Sequence, residues 1–426
     1  MTMRKSVLLL MICIFAAGAK GEGIRFFKGS FQDALKQAKA ENKKVFVDFY
    51  TTWCGPCQLM SKNVFPDDEV GEYFNEHFIN YQINAEDKAY LPEVKRYGVT
   101  AYPNMLILDT EGNVLGRQLG ATDKNGFLRF ARLALKEVLP VDQLYEKLKK
   151  DRKNQTLMQE ILLEAPDYIA RLSGQDHDKW EYRIEKLYAD YRKQRPLEDC
   201  ITANDLKIFS IYHTGMGKKD EVFEFVLLHF DDYARVIDRN EVSNFLFMLS
   251  YPWMEELAKK GDMSYREELE RVRGDLKVVY DSIMNFGGMD TYSGLKLLFD
   301  AEYYLYNKKD VEKYRSYMEK YFAGLGKGIR PQDYIGALES LYEVLGEKIT
   351  PEVARQGISW LNEALKSKLQ PEMQMRCLLM LGDCYKASGS KEDAKKCYDQ
   401  AYVISLQFNN PGLSAAVQEY VKKLEE

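Results

Sequence analysis

Two cysteines separated by Gly-Pro are the residues whose spacing most clearly predicts chemistry. Residues 45–50 are a β-branched and aromatic run typical of a buried strand, and Cys54 and Cys57 follow it closely. The residues after Cys57 continue as a helix, so the pair lies at a helix N-terminus, where free N–H groups and the helix dipole favour a thiolate. We therefore expect Cys54, at the exposed helix start, to attack a disulfide. Cys57, one turn further in, is expected to resolve the mixed disulfide.

A C-x-x-C is also half of a zinc site, and this alternative has to be weighed. Zinc needs two further ligands, and no histidine of the chain lies near another cysteine pair. The four histidines are His77, His177, His213 and His229. We therefore favour redox chemistry and expect neither a metal nor a cofactor.

Asp48 and Pro103 fit the same chemistry. Asp48 lies inside the apolar strand, six residues before Cys54, where a buried carboxylate can take a proton from the thiol of Cys57. The alternative for Asp48 is a surface carboxylate at a strand end. Pro103 comes directly before the apolar run 104–108, which favours a cis peptide bond once the cysteines are considered. An ordinary trans proline that opens a strand is the alternative.

The motif Trp53-Cys54-Gly55-Pro56-Cys57, with Asp48 before it and Pro103 after it, resembles the thioredoxin family over about residues 24–139. The resemblance implies an α/β thioredoxin fold, with a central mixed sheet flanked by helices, and a redox-active disulfide between the two cysteines. It implies that the proline is cis and faces the cysteine pair, and that the backbone just before it binds substrate as an added strand. The substrate-binding residues that it implies are Trp53, Gly55, Pro56, Tyr102 and Pro103.

The stretch after the cysteines resembles one branch of this family more than small thioredoxins. Residues 60–70 contain Phe65-Pro66 followed by two aspartates, so that one helix stops and another starts. This stretch looks more like the C-terminal thioredoxin domain of the transmembrane thiol:disulfide interchange reductases. The Gly55-Pro56 dipeptide is that of the reducing members, so the resemblance favours a reductase over an oxidase.

The periodicity of residues 24–139 alternates between strands and helices, as a thioredoxin topology requires. A helix capped by Ser30 should run to about residue 41, and short and closing helices are predicted at 91–97 and 124–138. The predicted strands are 45–50, 78–83, 104–108 and 114–119.

The N-terminus is typical of a secretory signal peptide over residues 1–19. Arg4 and Lys5 precede an eleven-residue apolar run at 7–17, and Ala17-Gly18-Ala19 is a small-residue cleavage site. The run is shorter than the about 20 residues that span a bilayer, although an uncleaved anchor is the alternative. No other stretch resembles a membrane span. We predict export across one membrane and favour a bacterial periplasm as the destination.

Length and composition indicate a globular chain of two or more domains and argue against nucleic-acid and membrane partners. The 426 residues are 46% apolar and 29% charged, and the net charge of −5 includes no long basic run. The sequence accordingly has no basic segment of the kind that binds nucleic acid or an anionic membrane. We predict a thioredoxin-like domain over residues 20–140 and an all-α helical repeat domain over residues 141–426.

Residues 141–426 show amphipathic helices and no strand signal. Glycines and prolines, Pro252 among them, divide the region into helices of about 10–20 residues. Within residues 375–408, Leu378, Leu381-Gly382 and Tyr385, followed by Ala394, Tyr398 and Ala401, resemble the tetratricopeptide pattern. Small residues in that pattern let two helices pack closely. The alternative is an irregular helical bundle.

Four further cysteines lie in this region: Cys200, Cys377, Cys384 and Cys397. Cys377 and Cys384 are seven residues apart on one helix, about 10.5 Å, which is too far for a disulfide. Cys384 and Cys397 lie on facing helices and could be close, but buried free cysteines are the commoner outcome. Their redox state is left open by the sequence.

These patterns predict an exported thiol:disulfide oxidoreductase that reduces disulfides in exported proteins. Its partners would be those proteins, an unidentified upstream thiol reductant and a protein bound by the helical repeat domain. Direction depends on the partner that recharges the cysteine pair. The alternatives are a disulfide isomerase and a non-catalytic scaffold in which the repeats gather partners.

Overall fold

The chain divides into two compact units, which we describe separately. A computed structural model describes residues 23–215, 220–346, 349–408 and 410–425. The first unit ends at Leu157 and the second begins at Met158. The predicted signal peptide, residues 1–19, lies outside the described residues. The proposed domain boundary at residue 140 stays a prediction.

The first unit is built on a four-stranded mixed sheet, as the sequence predicted. Its strands are β1 (Lys44–Tyr50), β2 (Phe78–Asn84), β3 (Asn104–Leu108) and β4 (Val114–Leu119). Their order across the sheet is β2-β1-β3-β4, with β2 parallel to β1 and with antiparallel pairing of β3 to β1 and of β4 to β3. β1 is therefore a central strand with neighbours on both sides.

Helices cover both faces of this sheet. They are α1 (Phe31–Glu41), α2 (Gly55–Leu59), α3 (Asp68–His77), α4 (Leu91–Arg96) and α5 (Lys124–Ala134), and a further helix of this unit, α6 (Val141–Lys150), follows them in the chain. The helix α1 starts at the predicted Ser30 cap and packs against the face that carries Val45, Val47 and Phe49. The other face carries Phe46 and is covered by α3, α5 and a π-helical turn, Met60–Val64, that directly follows α2.

The closing helix α5 is shorter than the predicted range 124–138. It ends at Ala134, and Lys136 has a positive φ of 61°. The amides of Lys136 and Glu137 bond back to the carbonyls of Leu133 and Arg132, which is how a left-handed residue closes a helix end. The helical periodicity of the sequence continues to residue 138, but the backbone leaves the helical conformation after Ala134.

The second unit is helical throughout its described residues. Its helices are α7 (Gln155–Ile169), α8 (Gln175–Gln194), α9 (Ala203–Tyr212), α10 (Glu221–Leu228), α11 (Phe230–Tyr233), α12 (Arg239–Lys260), α13 (Tyr265–Glu270), α14 (Lys277–Ile283), α15 (Thr291–Glu302), α16 (Val311–Leu325), α17 (Pro331–Leu345), α18 (Pro351–Leu365), α19 (Pro371–Ala387), α20 (Lys391–Ser405) and α21 (Pro411–Glu425). The boundary between the units falls within α7. In the described part of the chain, no helix is both long enough and apolar enough to cross a membrane.

Pro252 does not divide the helical region, contrary to the sequence prediction. It lies inside α12, which continues to Lys260. A proline leaves the carbonyl four residues earlier without its N–H partner. Here that residue is Met248, which is 67% exposed, and Pro252 is exposed as well, so water can take the place of the lost donor.

The helices α15 to α21 form a regular series. They begin at residues 291, 311, 331, 351, 371, 391 and 411, so each starts 20 residues after the one before it. Four of them have proline as their first residue, a position where the missing N–H costs nothing. A helix pair thus repeats every 40 residues, which fits a helical repeat domain and exceeds the 34-residue tetratricopeptide period.

The best match to a repeat motif packs as its small residues predicted. A Cβ atom built on Gly382 of α19 would lie 2.3 Å from the ring of Tyr398 on α20. Tyr398 is buried and donates a hydrogen bond to Asp383 at 2.7 Å. The absence of a side chain at position 382 therefore lets the two helices approach.

Candidate active site

The cysteine pair lies where β1 ends and α2 begins. Cys54 is the N-cap residue of α2, and Cys54 and Cys57 are joined by a disulfide with Cα atoms 5.3 Å apart. The Sγ atom of Cys54 accepts a hydrogen bond from the backbone N–H of Cys57 at 3.1 Å. That N–H is one of the unpaired donors at the helix start, so it can stabilise a thiolate at Cys54 once the disulfide is reduced.

Exposure does not distinguish the two cysteines, contrary to the expectation that Cys54 is exposed. Cys54 is 4% exposed and Cys57 is 5% exposed. The exposed residues at the helix start are the neighbours of Cys54, namely Thr52, Trp53, Gly55 and Pro56. A pocket of about 180 Å³ beside Cys57 is lined by Tyr50, Thr51, Thr52, Cys57, Gln58, Ser61 and Lys62. Position at the helix N-cap, not exposure, is what sets Cys54 apart.

Asp48 is buried, as predicted, at 2% exposure. It shares a face of β1 with Phe46, and the turn that follows α2 packs on this face through Met60. Asp48 therefore points to the side of the sheet that carries the cysteine helix. Its Oδ2 atom accepts a hydrogen bond from the amide of Gln82 at 3.0 Å, while its Oδ1 atom is buried with no hydrogen-bond partner in the described residues.

Burial raises the pKa of Asp48 to about 6, and the hydrogen bond from Gln82 opposes this rise. A carboxyl group with such a pKa exchanges its proton readily near neutral pH. It can thus act as a base toward a thiol when ionised and keep the proton when neutral.

The rim of the site carries an exposed indole held in place by a carboxylate. Trp53 is 68% exposed, and its Nε1–H group donates to Glu86 at 2.9 Å. The hydroxyl of Thr52 lies 3.5 Å from the other oxygen of Glu86. The ring of Trp53 also meets the ring of Tyr102 edge to face, with centroids 6.2 Å apart. The structure therefore brings Trp53 and Tyr102 together at the cysteine pair.

The peptide bond between Tyr102 and Pro103 is cis, as predicted. Pro103 is buried and Tyr102 is half-buried. The carbonyl of Pro103 accepts a hydrogen bond from Gly120 at 2.9 Å. Gly55 and Pro56, between the cysteines, are both exposed. The substrate-binding roles of these residues stay predictions.

The other cysteines that the structure describes lie in the second unit and are free. Cys200, Cys377, Cys384 and Cys397 are all buried. Burial raises the pKa of Cys377 to about 12 and that of Cys384 to about 11. The hydroxyl of Tyr342 also lies 3.2 Å from the sulfur of Cys384. Thiols in this state do not form the reactive anion near neutral pH.

A small group of side chains on α8 has metal-like spacing. Potential ligand atoms of His177, Asp178 and Glu181 lie within 4.8 Å of one another. The group is largely exposed, lies in the second unit and includes no cysteine. It is therefore separate from the site described above.

Two residues that contact the predicted site were not identified from the sequence. Gln82 lies 34 residues after Asp48, and Glu86 lies 33 residues after Trp53. Gln82 could have been found by pairing β1 with β2, since it is the register partner of Asp48. Glu86 lies in a loop after β2 and had no such signal.

Known proteins resemble the first part of the chain. A family model described as a thioredoxin-like domain matches residues 31–134. The thiol:disulfide interchange protein DsbD of Pseudomonas fluorescens is 30% identical over 101 residues, which are 23% of this chain and 17% of that protein. A thioredoxin of Chlorobaculum thiosulfatiphilum is 26% identical over 24% of this chain and 88% of its own length.

A solved structure matches the same region. The solution structure of a putative disulphide-isomerase from Bacteroides thetaiotaomicron is 42% identical, covers 28% of this chain and all of that chain, and has a TM-score of 0.26. The chain spans only about a sixth of the length of the DsbD relatives that it matches. The family match, the mixed sheet and the disulfide at the start of α2 agree, and residues 31–134 of this chain are a thioredoxin-like domain that is followed by a long all-helical region.

Proposed function

We propose that this protein is an exported thiol:disulfide oxidoreductase that reduces disulfides in exported proteins. The observation that carries the proposal is the Cys54–Cys57 disulfide at the start of α2 in a thioredoxin-like domain, with buried Asp48 on the same side of the sheet. Thiol–disulfide exchange needs a thiolate, a second thiol within reach and a group that removes its proton. Cys54, Cys57 and Asp48 would supply these three.

The reaction proceeds in two exchanges. In the reduced protein, the thiolate of Cys54 attacks one sulfur of a substrate disulfide, so that the S–S bond breaks and the second substrate sulfur leaves as a thiolate, which is protonated by solvent. Cys57 then gives its proton to Asp48 and attacks the sulfur of Cys54. This step releases the first substrate sulfur as a thiolate and forms the Cys54–Cys57 disulfide. Two electrons pass to the substrate, and an upstream dithiol reductant must return them.

Two features support the direction and the compartment. The Gly55-Pro56 dipeptide resembles that of the reducing thioredoxins, and the DsbD relatives are named as thiol:disulfide interchange proteins. Export rests on the signal-like residues 1–19, and we propose the periplasm as the compartment. In such an oxidising environment a disulfide is the form in which many substrate cysteines are found.

The helical region would bind a protein partner. The 20-residue series of helices α15–α21 resembles helical repeats, whose stacked surfaces commonly bind other proteins. We propose that this region selects substrates or a reductant for the thioredoxin-like domain. This role is distinct from the redox chemistry and can be tested separately.

Reduction of insulin in the presence of dithiothreitol tests the enzymatic proposal. The wild-type protein should accelerate the precipitation of the insulin B chain, and Cys54→Ser should be inactive. Cys384→Ser removes a thiol of the helical unit and is the matched control, with activity equal to wild type. A wild-type protein without turnover would instead favour the scaffold.

A Cys57→Ser variant tests the substrate class. It lacks the resolving thiol, so mixed disulfides on Cys54 should accumulate when the variant is exported in a bacterial host. Mass spectrometry of the trapped adducts should find exported proteins with disulfides. Adducts formed equally by a Cys54→Ser/Cys57→Ser double variant would show that trapping does not involve the site.

A further inference from the structure

Asp48 has one hydrogen-bonded oxygen and one free oxygen, and this asymmetry identifies a further residue of the site. The amide of Gln82 donates to Oδ2 at 3.0 Å, while Oδ1 is buried with no partner in the described residues. A buried oxygen without a partner is costly unless a proton or donor reaches it during function. The two oxygens of one carboxyl group are therefore not equivalent.

The sheet register explains why Gln82 reaches Asp48. Gln82 on β2 and Met105 on β3 are the direct partners of Asp48 on β1, and Gln118 on β4 is the partner of Met105. Paired residues of neighbouring strands point to one face, so these four side chains form a row across the sheet. The row contains a single carboxyl group, and both of its direct neighbours are uncharged.

One charged residue lies beside the cysteine pair. Cys57, Ser61 and Lys62 line the smaller pocket beside the cysteine pair, and Lys62 is the charged member of that set. Ser61 and Gln82 also line a surface pocket of about 540 Å³. Gln82 thus lies between the buried carboxyl group and a part of the surface that is open to solvent.

We propose that Gln82 is a positioning residue, whose amide holds Oδ2 of Asp48 and leaves Oδ1 as the oxygen that receives the proton of Cys57. The proton moves from the sulfur of Cys57 to Oδ1, so that an S–H bond breaks and an O–H bond forms, with no transfer of electrons between the two residues. The Gln82 hydrogen bond to Oδ2 stays in place throughout. This inference rests on the proposed function, since Asp48 serves Cys57 only if the pair exchanges disulfides.

Loss of the Gln82 donor should change the titration of Asp48. In Gln82→Met the ionised carboxylate loses its hydrogen bond, so the pKa of Asp48 should rise by about one unit above its wild-type value. Gln82→Glu places a second carboxylate beside Asp48 and should raise this pKa further. Gln118→Met is the matched control, because it makes the same change in the same row with Met105 of β3 between it and Asp48.

The titration is measured on the oxidised protein by carbon-13 NMR of labelled aspartate carboxyl groups, with Asp48→Asn to assign the signal. This readout needs no enzymatic activity. A parallel stopped-flow series then measures both exchange steps against pH. In Gln82→Met, the pH midpoint of the resolution step by Cys57 should move upward by as much as the NMR titration midpoint of Asp48. The initial attack by Cys54 should keep its rate and its pH profile.

The outcomes separate this inference from the proposed function. An unchanged Asp48 titration in both Gln82 variants, or an equal shift in Gln118→Met, would overturn the positioning role. A shift of the attack step as large as that of resolution would overturn it as well. If the NMR midpoint moves as expected in a protein that reduces no disulfide, the positioning of Asp48 by Gln82 is supported and the proposed function is overturned.

Discussion

Asp48 in the first unit and Asp300 in the second are buried aspartates with opposite environments. Among the residues that the structure describes, Asp48 in the first unit has one hydrogen-bond donor, no ion pair and one oxygen without a partner. Asp300 in the second unit is fully buried, and its oxygens accept from Tyr265 at 2.6 Å, Arg266 at 3.0 Å and Lys296 at 2.5 Å. Asp205 is equally buried and is bonded to Arg195 and Thr202. Satisfied carboxylates hold helices together, whereas an underpaired one can exchange a proton.

The pKa shifts of these groups follow from their partners. Burial raises the pKa of Asp48 to about 6, since the single Gln82 hydrogen bond does not offset it. Burial also acts to raise the pKa of Asp300, but the hydrogen bonds from Lys296 and Tyr265 outweigh it and hold the pKa below 3.8. Asp48 can therefore accept a proton near neutral pH, whereas Asp300 stays ionised there.

The cysteines of the two units also differ in their tendency to form a thiolate. Cys54 and Cys57 form a disulfide at a helix start, where backbone N–H groups favour a thiolate. Cys397, in the second unit, has its pKa raised to about 11 by burial, and so does Cys200. Four substitutions test this contrast between the two units.

The largest effect is expected for Cys54→Ser, which removes the attacking sulfur. Disulfide reduction should fall by about a thousandfold or more, because the thiolate at the helix N-cap is lost and Cys57 has no second thiol with which to complete the exchange. Cys397→Ser should retain the wild-type rate. Insulin reduction at fixed dithiothreitol concentration measures both, and a comparable loss in Cys397→Ser would show that the helical unit takes part in the chemistry.

Asp300→Asn should destabilise the second unit by about 2–3 kcal/mol. The change leaves Arg266 and Lys296 without their shared anion, and both are partly exposed, so the cost is below that of a fully buried pair. Since the pKa of Asp300 is lowered, its stabilising effect is present above pH 4 and is lost as the pH falls through the folded-state value. Hydrogen exchange with mass spectrometry locates the effect, which should be confined to α13 and α15 and their neighbours. Unchanged protection there would contradict the structural role.

Gly382→Ala should destabilise the last helices by about 2 kcal/mol, because the added methyl group meets the buried ring of Tyr398. Gly336→Ala is the control. Gly336 lies inside α17, and a Cβ atom built there has no neighbour within 4 Å, so alanine should stabilise that helix by about 0.5–1 kcal/mol. Urea unfolding followed by circular dichroism measures the free energy of unfolding of both variants. We predict that this free energy falls in Gly382→Ala and rises in Gly336→Ala.

Asp48→Asn should stabilise the first unit at pH 7 by about 1–2 kcal/mol. A pKa raised from 3.8 to about 6 means that the folded state binds the proton more tightly, so ionisation costs stability as the pH rises from 4 to 6. Ionised Asp48 destabilises the folded state by about 3 kcal/mol at pH 7. Asp48→Asn removes this cost, but the unpaired amide group that it introduces costs about 1–2 kcal/mol itself. Unfolding of the oxidised protein at pH 4 and pH 7 should converge in the variant. An undiminished pH dependence between these values would show that another group causes it.

The sequence alone determined the features that depend on neighbours along the chain. The apolar run of β1, the C-x-x-C after it, the burial of Asp48 and the change to helices after Pro140 are local patterns, and each is present in the structure. The 20-residue spacing of α15–α21 was also visible in Pro331, Pro351 and Pro371, although only one repeat was identified from the pattern. Short-range sterics, helix capping and hydrophobic period decide such features.

Tertiary structure alone decided which distant groups meet. The contact between Gln82 and Asp48 depends on the pairing of β1 with β2, and the three donors around Asp300 come from two helices. The sequence could not tell whether a buried aspartate is satisfied, because that depends on donors up to 35 residues away. The continuity of α12 through Pro252 was likewise decided by its exposed position. The free energy of a buried polar group is set by the partners that folding brings to it, and those partners are not encoded in its immediate sequence.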